Sequence, residues 1–350
     1  MRKVKKVLVL LLASCLWLTG CSGNAKQSKE QESTDWKDDA ILASDTIRNG
    51  DWGNSMVEND QYIYYVRDDY QMIRFDKDKK VKKEIVQLKE DKEDGNHDIS
   101  MVLNGKNLYY LYNNEIYQCD LDGSNQTKIA NGEEIKYPKT EKLHWIDAIS
   151  IYKDQMYLML VSGDIMTFNQ KINEAKVLTV NGDLSSRFLG DYLYCTTTDH
   201  AALHRVDLKT GKDKVVRGDA KEYVDARVMM YRYVTVFDGK LYYVCNKYEG
   251  EQKLYEYSET GKDKLMHKEK ALGESDSNQY VMDGEKVIDV RFPEKKTPTA
   301  CVYNIKTEKI TETKLTKKLG DAVQVIDGTL MYTTVKDAKT QSTYQMVPLS

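Results

Sequence analysis

Residues 104–125 decide the fold: Asn104-Gly105-Lys106-Asn107-Leu108-Tyr109-Tyr110-Leu111-Tyr112-Asn113-Asn114-Glu115-Ile116-Tyr117-Gln118-Cys119-Asp120-Leu121-Asp122-Gly123-Ser124-Asn125. Asn104-Gly105 is a two-residue hairpin signal, because a type I′ turn needs positive φ at both central residues. The aromatic strand Asn107–Tyr110 follows at once. A second strand, Ile116–Asp120, alternates with period two and ends in the polar turn Asp122-Gly123-Ser124-Asn125.

The same unit recurs on both sides. Its aromatic strand reappears at Tyr62-Ile63-Tyr64-Tyr65, Gln155-Met156-Tyr157-Leu158, Tyr192-Leu193-Tyr194-Cys195, Lys240-Leu241-Tyr242-Tyr243, Lys286-Val287-Ile288-Asp289 and Thr329-Leu330-Met331-Tyr332. Further turns stand at Asp238-Gly239, Asp283-Gly284 and Asp327-Gly328. From Ile63 to Leu330 is 267 residues in six steps of 45, 48, 37, 48, 46 and 43. Units of four strands at this period predict an all-β β-propeller of seven four-stranded blades, with six or eight as neighbouring counts. The seventh unit ends after three strands. A spare strand at Ala40 to Arg48 is expected to pair with Thr343 to Val347 and to close the ring between the two chain ends.

Composition agrees. The 350 residues are 41% hydrophobic and 31% charged, enough apolar material for a packed core. The 25 tyrosines far outnumber the 5 Phe and 4 Trp, and 11 of them fall on the repeated strand, where inter-blade packing is expected. With 52 basic against 55 acidic residues there is no basic excess, so no nucleic-acid partner is expected.

Ahead of the repeats lies an address. Arg2, Lys3, Lys5 and Lys6 precede the apolar run Val7 to Leu18, which is too short to cross a bilayer as a helix. Residues 1–20 are read as a signal peptide, 21–38 as a lipidated cysteine and flexible tether, and 39–350 as the propeller. The tetrad Leu18-Thr19-Gly20-Cys21 resembles the lipobox of bacterial lipoproteins. That resemblance implies acylation of Cys21, with diacylglycerol and palmitate-type chains, and anchoring on the extracytoplasmic side of the cell membrane. Loss of the leader removes four basic residues and leaves 48 against 55, a net charge of −7. The membrane, reached through the lipid, is therefore one expected partner, and an envelope protein or glycan another. A monomer is expected.

Ile116 to Asn125, behind Leu108-Tyr109-Tyr110, resembles the YWTD repeats of low-density-lipoprotein-receptor-like propellers, as found in an uncharacterised bacterial lipoprotein family. The tetrad itself is absent. Receptor propellers of that kind have six blades, where seven units are counted here. The resemblance implies a binding or scaffold role and brings no catalytic residues.

Recognisable chemistry is sparse. No nucleophile elbow, His-Glu-x-x-His or phosphate loop is present, so neither metal nor cofactor is expected. His200 and His204 straddle a hairpin, and Asp120, Asp122 and Asn125 read as a polar turn. Cys119, Cys195, Cys245 and Cys301 lie on apolar strands without Cys-x-x-Cys spacing and are read as free thiols. Counting back from each inner-strand turn gives a ring at one channel mouth: Trp52, His97 with Asp98, Trp145 with Asp147, Asp183, Tyr231 with Arg232, Asp276 and Asp321. Carboxylates there could hold a cation, an amine or sugar hydroxyls, and the aromatics could supply flat faces. The leading reading is a non-catalytic binding or scaffold protein for an envelope protein, glycan or small ligand. The alternative is a polysaccharide-processing hydrolase or lyase with an acidic mouth, which needs two facing carboxylates.

Overall fold

In the computed structural model, the described residues are 35–39, 41–42, 52–89, 99–138, 145–179, 185–196, 202–218, 229–247, 251–269, 277–292, 297–315, 323–333 and 344–349. They form seven antiparallel blades, spanning 56–87, 100–131, 146–179, 187–218, 229–269, 277–314 and 323–348. Each blade runs in simple meander order from an inner to an outer strand. In the seventh, three strands fall among the described residues: Val323–Ile326, Thr329–Thr333 and Tyr344–Pro348. The seven-bladed expectation holds.

The repeated second strand builds the interfaces between blades. Its first and third apolar positions face the preceding blade and the residue between them faces the next. Leu108 and Tyr110 thus pack with blade one, and Leu241 and Tyr243 with blade four. Tyr64, Tyr65, Tyr110 and Tyr332 are fully buried. Burying both faces of each sheet against its neighbours explains how 41% apolar residues suffice.

Side chains repeat as well. Arg74 lies 4.5 Å over the Tyr62 ring, and Arg205 lies 4.5 Å over Tyr192. In both cases the arginine and a nearby tyrosine reach the outer turn of the next blade: Arg74 and Tyr64 donate to the Leu121 carbonyl, Arg205 and Tyr194 to Glu259. The acidic cluster Asp120, Asp122 and Asn125 is a self-satisfied turn, with Asn125 Nδ2 donating to Asp120 at 2.7 Å.

Two details depart from the sequence reading. At Asp238-Gly239 and Asp327-Gly328 both residues have positive φ, as a type I′ turn requires. In blades two and six the turn shifts by one residue, so that only Gly105 and Gly284 take positive φ, as the leading glycine of a type II′ turn. The second departure is a bulge in the outer strand of blades one to five. The extra residue is Ile85, Ile129, Leu178, Val216 or Met266, always apolar and always packed on the next blade's interface. A bulge re-aims one side chain, and here it buries an apolar group that strict alternation would leave outside.

The expected closing strand is described at two residues, and both join blade one: Ile41 bridges Arg67, and the Leu42 N–H donates to the Val66 carbonyl. The remainder of Ala40 to Arg48 lies outside the described residues. Blade one offers a hydrogen-bonding strand end there, and apolar Ile41 and Trp36 fill the gap between blades seven and one beside Tyr65, Phe75, Met331 and Tyr344. Gln324 also donates to the Met56 carbonyl at 2.6 Å. The packed domain therefore begins by Trp36, ahead of the expected boundary at 39. Trp36–Asp38 is a short 3-10 helix, whose neighbour Asp39 is held by Lys82 at 2.9 Å.

Candidate functional site

Strand directions sort the connections onto two faces. The turns joining first to second strands and third to fourth strands share one face and are tight; 105–106, 153–154 and 238–239 are examples. The other face receives the links between blades, such as 88–99, 132–145 and 219–228, and those between second and third strands, such as 334–343. Long connections on a rigid frame are where binding residues concentrate. This is the face carrying the expected mouth ring.

Part of that ring is core. Trp52 is 2% exposed and inserts between blades three and four, with Phe188 at 6.2 Å between ring centroids and Leu193 and Val206 beside it. It arrives there on a strap across the axis. The Gly53 N–H donates to the Ile149 carbonyl of blade three at 2.9 Å, and Asn54 bridges Met101 of blade two. Ser100 Oγ links both sides, donating to the Gly53 carbonyl and accepting from the Ile149 N–H, each at 3.1 Å. Tyr231 is also buried, packing against Tyr243 between blades four and five. Counting back from a turn locates the entry to a strand but not whether the chain crosses the channel there. Neither residue offers a free aromatic face.

Trp145 is 41% exposed, and its carbonyl accepts the N–H of Val161, which is 60% exposed. These two apolar side chains stand at the loop-face edge of blade three. Asp147, two residues on, is buried. It is the extra residue of a bulge in the inner strand, since Met159 pairs with Ala148 and Leu160 with Ile146. Arg232 occupies the same place in blade five, between Tyr231 paired with Cys245 and Tyr233 paired with Val244. Inner-strand bulges thus carry an acid in one blade and a base in another, a pattern the sequence reading missed. Its signal was a single charge interrupting an apolar strand. His97, Asp98, Asp183, Asp276 and Asp321 lie outside the described residues, as does Cys21.

Among the described residues no three His, Cys, Asp or Glu side chains group as metal ligands, and no helix is long and apolar enough to cross a membrane. His204 pairs with Asp213 at 3.0 Å, within its own blade. Cys119, Cys195, Cys245 and Cys301 are free thiols, as read from the sequence. Burial pushes the Cys119 thiol up to about 11 and the Cys245 thiol up to about 12.

These features define a seven-bladed β-propeller with a strapped axis and one face of tight turns. No family model matches the chain, and no curated protein does. Solved structures share the fold. An oligogalacturonate lyase from Vibrio parahaemolyticus is 12% identical, with TM-score 0.52, over 89% of this chain and 91% of that one. Another oligogalacturonate lyase, in complex with manganese, is 11% identical at TM-score 0.51, over 83% and 85% of the two chains. A puromycin hydrolase mutant complexed with PGG is 12% identical at TM-score 0.52, over 84% of this chain and 52% of that one. At such identities the likeness is one of fold.

Proposed function

We propose that this protein is a lipid-anchored, non-catalytic binding propeller, held by Cys21 outside the cell membrane and engaging an envelope protein or glycan through its loop face. The observation that carries the binding half is the pair Trp145 and Val161, joined by a backbone hydrogen bond and both leaving apolar side chains exposed, on the face that bears the long connections. Exposed apolar groups on such a face suit contact with a partner. The anchor rests on the basic leader, the short apolar run and Cys21 within Leu-Thr-Gly-Cys.

Two variants test the halves separately. Cys21→Ser should shift the protein from the detergent phase to the aqueous phase, or trap its precursor; unchanged partitioning would refute the anchor. Trp145→Ala with Val161→Asp should keep the melting temperature and lose whatever envelope component the wild-type protein retains on a column. If the wild-type protein retains none and instead turns over a polysaccharide, the binding reading is wrong.

A further inference from the structure

The inner strand of blade four opens on a buried arginine that has no acceptor among the described residues. Arg187 is 8% exposed, and its guanidinium lies 6.0 Å from the Tyr233 ring of blade five. Nη1 is buried without a hydrogen-bond partner. Nε and Nη2 make no hydrogen bond to a described residue either, yet they are not enclosed as Nη1 is. These two nitrogens form one edge of the guanidinium, and that edge keeps contact with solvent.

Every other arginine with a described side chain donates to an oxygen. Arg74 reaches the Leu121 carbonyl, and Arg67, Arg205, Arg217 and Arg291 pair with Asp69, Glu259, Asp263 and Asp289. In Arg67 and Arg217 the Nε–Nη2 edge meets both oxygens of one carboxylate, with Arg217 Nε at 2.6 Å. The same edge of Arg187 is open. The buried acids of blade three, Asp147 and Asp164, have interactions of their own and no ion pair with it.

A guanidinium stays charged at physiological pH, so it cannot escape the cost of burial by losing its proton. An unpaired charge inside a protein is strongly destabilising, and a cation–π contact at 6.0 Å offsets little of that.

The position fixes the side of approach. The link 180–186 from blade three arrives on the loop face, so Arg187 stands at that mouth of the channel. Tyr194 lies opposite it on the second strand, and Thr196, two residues on, shares the same side of the blade. The buried hydroxyls of Thr196 and Ser185 meet there at 3.3 Å. One unanswered positive charge selects one negative charge, since a dianion would leave a buried excess of its own. A planar group with two oxygens fits the Nε–Nη2 edge as Asp69 and Asp263 fit theirs. With so little of Arg187 exposed, the opening admits a small molecule.

We infer that the Nε–Nη2 edge of Arg187 is a binding site for a small monocarboxylic acid at the loop-face mouth of the channel. The inference uses neither the anchor nor Trp145 and Val161, so it can fail apart from the proposed function.

The test is thermal melting of the full-length protein in acetate against chloride, at one ionic strength and neutral pH. Acetate at about ten times its dissociation constant should raise the melting temperature by about 2–4 °C, with a saturating dependence on concentration. Phosphate at the same concentration should give no such rise. Arg187→Met removes the charge and keeps the length, and should lose the acetate response. Arg187→Lys keeps the charge without the planar edge, and should weaken acetate binding about tenfold. No saturable rise in the wild-type protein overturns the site. A rise that survives undiminished in the variants is a general salt effect and overturns it equally. A larger rise in phosphate overturns the choice of a single negative charge. Should Arg187→Met fail to fold, the wild-type titration and Arg187→Lys still decide.

Discussion

The indole of Trp52 lies 6.2 Å from the ring of Phe188, so a residue that precedes the first strand of blade one is a core residue of blades three and four. Truncating a buried aromatic costs about 3–5 kcal/mol. Trp52→Ala should lose that much in urea denaturation, while Trp145→Ala on the exposed edge should change stability by under about 0.5 kcal/mol. Equal effects would show that the strap is not docked.

Gly53 leaves no room for a side chain. A Cβ there would stand 2.5 Å from both the Met101 carbonyl oxygen and Ser100 Oγ. Backbone is the obstacle, so relief requires the strap to move. Gly53→Ala is expected to cost about 1–3 kcal/mol, read from the shift in urea midpoint. A midpoint equal to wild type would refute the close approach.

Asp263 joins two blades. It receives Arg217 of blade four in a bidentate pair, the Tyr243 hydroxyl at 2.5 Å and the Ser258 N–H at 2.8 Å. Burial raises its pKa, but Arg217, Tyr243 and Ser258 outweigh that and hold the carboxyl below the usual range. A depressed folded value gives stability that is present above the unfolded pKa of about 4 and lost as pH falls through the folded one. Asp263→Asn should therefore cost about 2–3 kcal/mol at neutral pH. The gap from wild type should narrow steadily below about pH 4. A gap independent of pH would remove the carboxylate from the account.

Trp36 tests the closure. Its ring is 1% exposed where blades seven and one meet. Trp36→Ala should lower the melting temperature of the whole ring in one transition, and removal of residues 22–34 should not. A second, separate transition would mean that the ends are joined more weakly than their packing implies.

The fold was legible because its signals are local and repeated: a turn dipeptide, an aromatic strand and a period near 44 residues. The mouth was legible only in part. Trp145 is exposed and Asp147 buried at one end of blade three, whereas Trp52 and Tyr231 are committed to cores whose other members lie in neighbouring blades. No local pattern carries that information. Bulges at Asp147 and Arg232 were missed because one extra residue leaves period-two alternation ambiguous on either side of it. Asp289 is legible within the repeat, as an acid aligned with Tyr65, Tyr110, Tyr243 and Tyr332.

The strap across the axis also orders events in time. Blades of a propeller can generally assemble neighbour by neighbour as the chain emerges. Residues 52–54 cannot follow that order, because their partners are Met101, Ile149 and the Phe188 cluster. The Trp52 indole has nowhere to dock until blade four exists, so one of the earliest segments made is among the later ones to settle. Until then the first blade lacks its entry segment, and a chain stopped short of residue 185 would leave Trp52 without Phe188 and the blade-four half of its cluster.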